Sequence, residues 1–306
     1  MVKPMNFIWM DGKLVPWHEA NVHVMTHTLH YGDGLFEGLR AYKCVDGRSA
    51  IFRLGSHIHR LFKSASALKL KIPYTPLELE QAVLETAKAN KFEEGYIRPL
   101  VLVGEGDMGP LPHNNPIQVI IITWEWGHYM GQDALNNGIG VKVSKWIRDS
   151  RVLPFYAKVC GHYVNAGLAK REAEEAGFEE AILLDPWDNV IEGSAENIFI
   201  VKDGILMTPS LTLPILRGIT RDTVIYLACD TGITVDETMF NLKFFYDADE
   251  AFYTGTAAEI TPIRDVEKSP IGKVCPGPVT KKLQELYFKT VRGEIPAYQN
   301  KWLTYI

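Results

Sequence analysis

Two aspartate–glycine pairs constrain the fold of this chain more than any other feature. Asp11-Gly12 lies between FIWM and KLVPW, and Asp46-Gly47 lies between LRAYKCV and RSAIF. Each dipeptide tolerates the positive φ of a tight hairpin reversal, so each joins two short β-forming runs as antiparallel neighbours. Regular strand–helix–strand alternation, which builds a doubly wound parallel sheet, is missing, and the chain reads as mixed α+β. A helix is predicted from Ser56, a good N-cap, with Ile58, Leu61, Phe62, Ala65 and Leu68 at helical spacing. A second begins after Thr75, where Pro76 suits the first helical position and Glu78 completes a capping box. Strands are predicted at 97–103 and 117–124.

Residues 127–138, GHYMGQDALNNG, are polar and glycine-bearing and read as a link between a first domain, 1–126, and a second, 139–306. In the second domain a strand is predicted at 139–146 and a helix at 163–176, stopped by Gly177. Short strands follow at 181–184, 197–201 and 205–207. A helix over 220–231 ends at Gly232 as C-terminal cap, and a strand at 251–254 precedes a last helix over 278–291.

Composition narrows the function classes. The 306 residues carry 32 basic and 37 acidic side chains, net −5, without Lys/Arg blocks, which is a poor basis for binding nucleic acid. Cysteines at 44, 160, 229 and 275 form neither a disulfide scaffold nor a C-x-x-C zinc pair. His27-x-x-His30 and His57-x-His59 lack an accompanying ligand set and read as solvated or satisfied histidines, so no metal is expected. Gly104-Glu-Gly106-Asp-Met-Gly109 matches G-x-G-x-x-G, but Pro110 and Pro112 prevent the helix that a dinucleotide site needs there, leaving a glycine-rich loop. No run reaches eighteen apolar residues, and the opening MVKPMNFIWMDG has neither a long apolar core nor a small-residue cleavage site. A reducing cytoplasm is the expected setting.

Several segments carry chemistry when taken together. Lys158 follows Phe155-Tyr156-Ala157 among apolar and small neighbours. A desolvated lysine falls below its reference pKa of about 10.4 and can attack a carbonyl, although a lone lysine more often snorkels to water. Glu192 stands at a turn into Gly193-Ser194. Gly218-Ile219-Thr220 opens a helix whose free N–H groups and positive dipole end suit a phosphate. Gly255-Thr256-Ala257-Ala258 follows a strand and has small side chains, so its amides can also face an anion. A lysine, a carboxylate and two phosphate cradles together describe a site for pyridoxal 5'-phosphate.

These residues, with YGDGLFEGLRAY, HIHRL and WEWGHY, resemble the fold-type IV pyridoxal-phosphate enzymes, and within them the branched-chain amino-acid aminotransferases, over nearly the whole chain. The resemblance implies a small N-terminal α/β domain, a larger C-terminal domain with the cofactor between them, and a homodimer or higher homo-oligomer. By it, Lys158 carries the cofactor covalently and Glu192 holds its ring nitrogen protonated. Tyr163 bonds its phenolic oxygen, and Arg60 binds its phosphate with help from Gly218, Ile219, Thr220 and Thr256. Leu216 packs on the ring. Phe36, Gly38, Tyr163 and Trp126 match the branched-chain pocket, and Tyr31, Arg40, Tyr96, Arg98 and Tyr129 match the polar set around it. The Thr256-Ala257-Ala258 turn matches the α-carboxylate site. Pro110 and Cys160 depart from residues common in the family. The implied reaction exchanges amino groups between L-leucine, L-isoleucine or L-valine and 2-oxoglutarate, with no nucleic-acid or membrane partner. Alternatives within the same fold are a D-amino-acid or (R)-amine transaminase and an aminodeoxychorismate lyase; a more distant one is a non-catalytic pyridoxal-phosphate-binding protein.

Overall fold

The structure, a computed structural model, describes residues 2–306 and divides into two compact units. The first contains the chain through Gly127 together with residues 157–162 and 289–306; the second contains 128–156 and 163–288.

In the first unit the hairpins form where the aspartate–glycine pairs place them, Phe7–Met10 with Lys13–Pro16 and Leu39–Lys43 with Ser49–Phe52. They join an antiparallel sheet in the order Leu303–Tyr305, Ser49–Phe52, Leu39–Lys43, Gly95–Val103, Ile117–Trp124, Phe7–Met10, Lys13–Pro16, with Leu35–Phe36 also pairing to Gly95–Val103. Helices Leu54–Ala67 and Pro76–Ala89 supply Ile58, Leu61, Ala65, Leu79, Val83 and Ala87 to a core shared with Leu39, Ile51, Ile97, Val101, Val119 and Ile121. Strand alternation decides what is left over. Ile97 and Val101 point into this core, so Tyr96 and Arg98, at the alternate positions, point to the other face.

The second unit holds a nine-stranded sheet that closes on itself. The order Val190–Gly193, Glu180–Leu184, Ile139–Val143, Glu259–Val266, Glu250–Gly255, Asn197–Lys202 returns to Val190–Gly193 through the pairing Glu192↔Asn197. Two junctions of this ring are parallel, on either side of Ile139–Val143, and the helix Tyr163–Glu175 precedes the strand Glu180–Leu184 of one of them. Ile139, Val141, Ile182, Val190, Ile198, Ile200, Tyr253 and Ile263 form its buried core.

Four expectations are corrected. The first helix begins at Leu54, two residues before Ser56; Arg53 adopts a left-handed φ of 54° at the cap, and Ser56 Oγ accepts from Arg53 Nε at 3.1 Å. The stretch 127–138, read as a link, belongs to the second unit from His128 on, and within it Gln132–Asn137 is helical and buries Ala134 and Leu135. The unit boundaries differ from 1–126 and 139–306, since residues 157–162 and 289–306 pack with the first unit. The chain does not end on the helix Pro278–Val291: Pro296–Trp302 follows, then the strand Leu303–Tyr305, which pairs with Ser49–Phe52. Among the described residues no helix is long and apolar enough to cross a membrane.

Candidate active site

The first unit carries Lys158, Arg60, Tyr31, Phe36, Gly38, Arg40, Tyr96, Arg98 and Trp126. Lys158 sits in a segment laid against residues 32–36. Phe36 N donates to Lys158 O at 3.2 Å, Cys160 N to Gly34 O at 2.8 Å and Gly161 N to Gly32 O at 2.8 Å. On its other side, Lys158 N donates to Ser64 Oγ at 2.9 Å. The backbone of this lysine is therefore fixed from two directions, and its Nζ lies 4.8 Å from the centre of the Phe36 ring.

Arg60 lies one helical turn before Ser64 and is clamped by Glu37. Arg60 Nε donates to Glu37 Oε1 at 2.6 Å and Nη2 to Oε2 at 2.8 Å, while His57 Nδ1 meets Oε2 at 2.8 Å. Burial works to raise the Glu37 pKa, but the charge and hydrogen bonds of Arg60, joined by His57, outweigh it and hold the carboxyl well below its usual range. Burial pulls the His57 pKa down against the opposing pull of Glu37. His57 is thus a satisfied core histidine.

Tyr96 and Arg98 of the polar set lie in an aromatic cluster. Tyr96 lies opposite Trp124 in the sheet, with ring centroids 5.0 Å apart, and meets Trp126 edge-on at 5.1 Å. The Arg98 guanidinium carbon lies 4.5 Å from the Phe36 ring centre and 5.3 Å from that of Tyr96, and its buried Nε has no hydrogen-bond partner. Gly38 is demanded by space, since a Cβ there would collide with the Tyr96 hydroxyl. Arg40 does a different job from the others: its Nη2 donates to Trp126 O and Gly127 O, both at 2.9 Å, bracing the segment that carries Trp126. Tyr31 is half exposed and stacks on His27 at 4.4 Å; His27 Nδ1 meets Asp33 at 2.8 Å, and Nε2 meets Gly109 O of the glycine-rich loop at 2.6 Å.

The second unit carries Tyr129, Tyr163, Glu192, Leu216, Gly218, Ile219, Thr220, Thr256, Ala257 and Ala258. Glu192 is buried, and both oxygens of its carboxylate are engaged. Asn197 Nδ2 donates to Oε2 at 3.0 Å, Leu216 N to the same oxygen at 3.2 Å, and Arg148 Nη1 pairs with Oε1. Arg148 is itself buried, donating from Nη2 to Ser194 O at 2.8 Å; burial lowers its pKa to about 10, with Tyr163 and Glu196 opposing, so it stays charged at neutral pH. Asn197 Nδ2 also donates to Leu216 O at 2.9 Å, and a Cβ on Gly218 would strike Asn197 Oδ1. One asparagine thereby places the carboxylate, Leu216 and the start of the helix Ile219–Asp230. That helix has no side-chain cap at Gly218, which leaves its first-turn amides for another acceptor. Thr256, Ala257 and Ala258 form the turn between strands Glu250–Gly255 and Glu259–Val266, beside Thr254, whose buried Oγ1 has no hydrogen-bond partner. The turn is closed by Thr261 Oγ1 donating to Ala258 O at 2.7 Å, and Glu259, at its end, meets His128 Nδ1 at 2.6 Å. Tyr129 adjoins His128 in sequence.

The residues that hold these groups in place, Glu37, Ser64, Arg148 and Asn197, were not singled out from the sequence. Glu37 stands inside a motif that was, but its partners lie 20 and 23 residues away and give no local signal.

Comparison with known proteins gives a consistent result. The amino-transferase class IV family matches residues 34–266. The chain is 47% identical to a branched-chain-amino-acid aminotransferase of Pseudomonas aeruginosa, over 98% of this chain and 97% of that protein. It is 41% identical to one of Escherichia coli over 98% and 96% of the two chains. Among solved structures, the branched-chain amino acid aminotransferase of Thermobaculum terrenum in its PLP-form superposes with a TM-score of 0.92 at 34% identity, covering 98% of this chain and 98% of that one.

Proposed function

The chain belongs to the class IV aminotransferases, and from that membership we propose that it is a branched-chain amino-acid aminotransferase. It transfers the amino group of L-leucine, L-isoleucine or L-valine to 2-oxoglutarate, giving a branched 2-oxo acid and L-glutamate. The observation that carries the reading is the fixed Glu192, buried among Arg148, Asn197 and Leu216, in a chain that also presents a pinned Lys158.

The residues present fit pyridoxal 5'-phosphate. A buried carboxylate held in place by Asn197 and the Leu216 amide suits a protonated ring nitrogen, and an uncapped helix start suits a phosphate. When bound, this group supplies the carbonyl carrier for the amino group and the electron sink for the substrate's α-carbon. Lys158 Nζ holds the group covalently at rest and moves the proton at the α-carbon during turnover. Glu192 keeps the proton on the ring nitrogen, Tyr163 bonds the phenolic oxygen, and Leu216 packs against the ring. Arg60 and the amides of Ile219, Thr220 and Thr256 hold the phosphate, with Gly218 admitting the Asn197 side chain at the helix start. Phe36, Gly38, Trp126 and Tyr163 serve the branched side chain; Arg98, with Tyr31, Tyr96 and Tyr129, serves the carboxylate of glutamate, and Arg40 supports them by bracing the Trp126 segment. Thr256, Ala257 and Ala258 orient the α-carboxylate.

Assembly as a homodimer or higher homo-oligomer is part of the reading; exposed apolar Val24, Met25, Leu29, Met108 and Leu111 in the first unit support it. Free thiols at all four cysteines support a reducing cytoplasm as the setting. A panel of amino-acid donors with 2-oxoglutarate tests the activity: L-leucine, L-isoleucine and L-valine are expected to lead, and D-leucine or an (R)-arylamine reacting faster than L-leucine overturns the substrate class.

A further inference from the structure

Glu37 is a buried charge to which the functions above give no task. Its side chain is wholly inaccessible, a costly position for a carboxylate unless it is paired and hydrogen-bonded. It follows Phe36 and precedes Gly38, the two residues assigned to the pocket wall, and its amide donates to Pro99 O at 2.8 Å. On the facing helix, His57, Arg60 and Ser64 lie at i, i+3 and i+7, one continuous stripe. His57 and Arg60 grip the Glu37 carboxylate at 2.8 Å and 2.6 Å, and Ser64 holds the backbone of Lys158 at 2.9 Å.

Two parallel N–H···O bonds fix not only the place of a guanidinium but its plane. With Nε and one Nη2 proton turned to Glu37, the opposite edge of the Arg60 guanidinium is aimed in one direction. We propose that Glu37 is the positioning residue for Arg60: it sets the plane in which the arginine meets the cofactor phosphate and ties that anion site to the strand bearing the substrate pocket. This rests on the reading of Arg60 as the phosphate ligand.

A mutant cycle on the full-length protein tests it. Arg60→Ala, Glu37→Gln and the double variant are compared by equilibrium dialysis against pyridoxal 5'-phosphate and by the 31P resonance of the bound phosphate. Glu37→Gln keeps the shape but loses the charged double acceptor. It is expected to weaken cofactor affinity about tenfold and to shift the 31P resonance. In the double variant the loss is expected to be no greater than for Arg60→Ala alone, because Glu37 acts through Arg60. If Glu37→Gln does not yield folded protein, Glu37→Asp, which keeps the charge but is one methylene short, takes its place in the cycle. Wild-type affinity in the Glu37 variant beside a weakened Arg60→Ala overturns this inference alone, as does a double variant whose losses multiply. Wild-type affinity in Arg60→Ala overturns the phosphate reading itself and the inference with it. A lowered melting temperature with unchanged affinity and 31P resonance assigns Glu37 to stability only, and overturns the inference.

Discussion

Glu192 and Asn197 face each other at the pairing that closes the second unit's sheet into a ring, and Asn197 Nδ2 donates to the Glu192 carboxylate across that same pair at 3.0 Å. The carboxylate is thus held by the sheet's own register. A strand pair is a stiffer mount than a loop, and the pair's second bond, from Asn197 to Leu216 O, extends that stiffness to the helix start.

Glu192→Gln retains the shape and the amide contacts but cannot balance a protonated ring nitrogen. The half-reaction with L-leucine, followed by stopped-flow absorbance, is expected to slow by about 10²-fold or more, the scale of losing one electrostatic stabiliser. Cofactor is expected to stay bound. Near-normal rates with only a changed KM would contradict the assignment.

Lys158 is expected to be the attachment point. Borohydride reduction of the holoprotein followed by peptide mapping should place the cofactor on this residue, and an adduct on another lysine refutes the role. Lys158→Ala should abolish steady turnover, because the attachment and the proton shuttle are lost together.

Arg98 is expected to separate the two substrates. Its guanidinium lies over Phe36, with a buried Nε that lacks a hydrogen-bond partner. Arg98→Leu should therefore depress kcat/KM for 2-oxoglutarate more than for 4-methyl-2-oxopentanoate. Equal losses for both acceptors would make the arginine structural.

Gly38→Ala puts a carbon where the Tyr96 hydroxyl stands. Overpacking of this kind costs about 1–3 kcal/mol. Expressed in the transition state, that is a loss of roughly 5- to 150-fold in kcat/KM for L-leucine. Cofactor affinity should not change. Unaltered leucine kinetics would show that Tyr96 turns away at no cost.

The pH dependence of stability carries a signature of His57. Burial lowers its folded pKa, so the unfolded chain takes up the proton first as pH falls. Its contribution is complete above the unfolded value of about 6.5 and is lost progressively below it, toward the lowered folded value. Melting temperature measured from pH 8 to pH 5 should fall less steeply in His57→Asn, which keeps a donor for Glu37. An unchanged slope rejects the assignment. Glu37, also lowered, acts in the same sense, but only below the ordinary carboxylate range.

Local chemistry made much of the fold legible. The turns at Asp11-Gly12 and Asp46-Gly47 and the Thr75–Glu78 capping box depend on residues a few positions apart, and the structure contains all three. Gly232, with a φ of 77°, ends its helix as expected. The terminal strand Leu303–Tyr305 escaped notice because its partner lies some 250 residues earlier in the chain. The same distance effect hid the supports of the candidate site. Ser64 meets Lys158 across 94 residues, and nothing in the sequence around a helical serine announces that bond. Arg148 precedes Glu192 by a helix and a strand, so its pairing exists only after the ring has formed.

The first unit is assembled from three separate stretches, and Lys158 lies in the shortest of them. Lys158 and Tyr163 are five positions apart, yet they fold into different bodies. The two units are therefore not exchangeable gene segments. A chimera joined once, near residue 127, would take its lysine segment and its terminal strand from one parent, and the Ser64 and Ser49–Phe52 that receive them from the other.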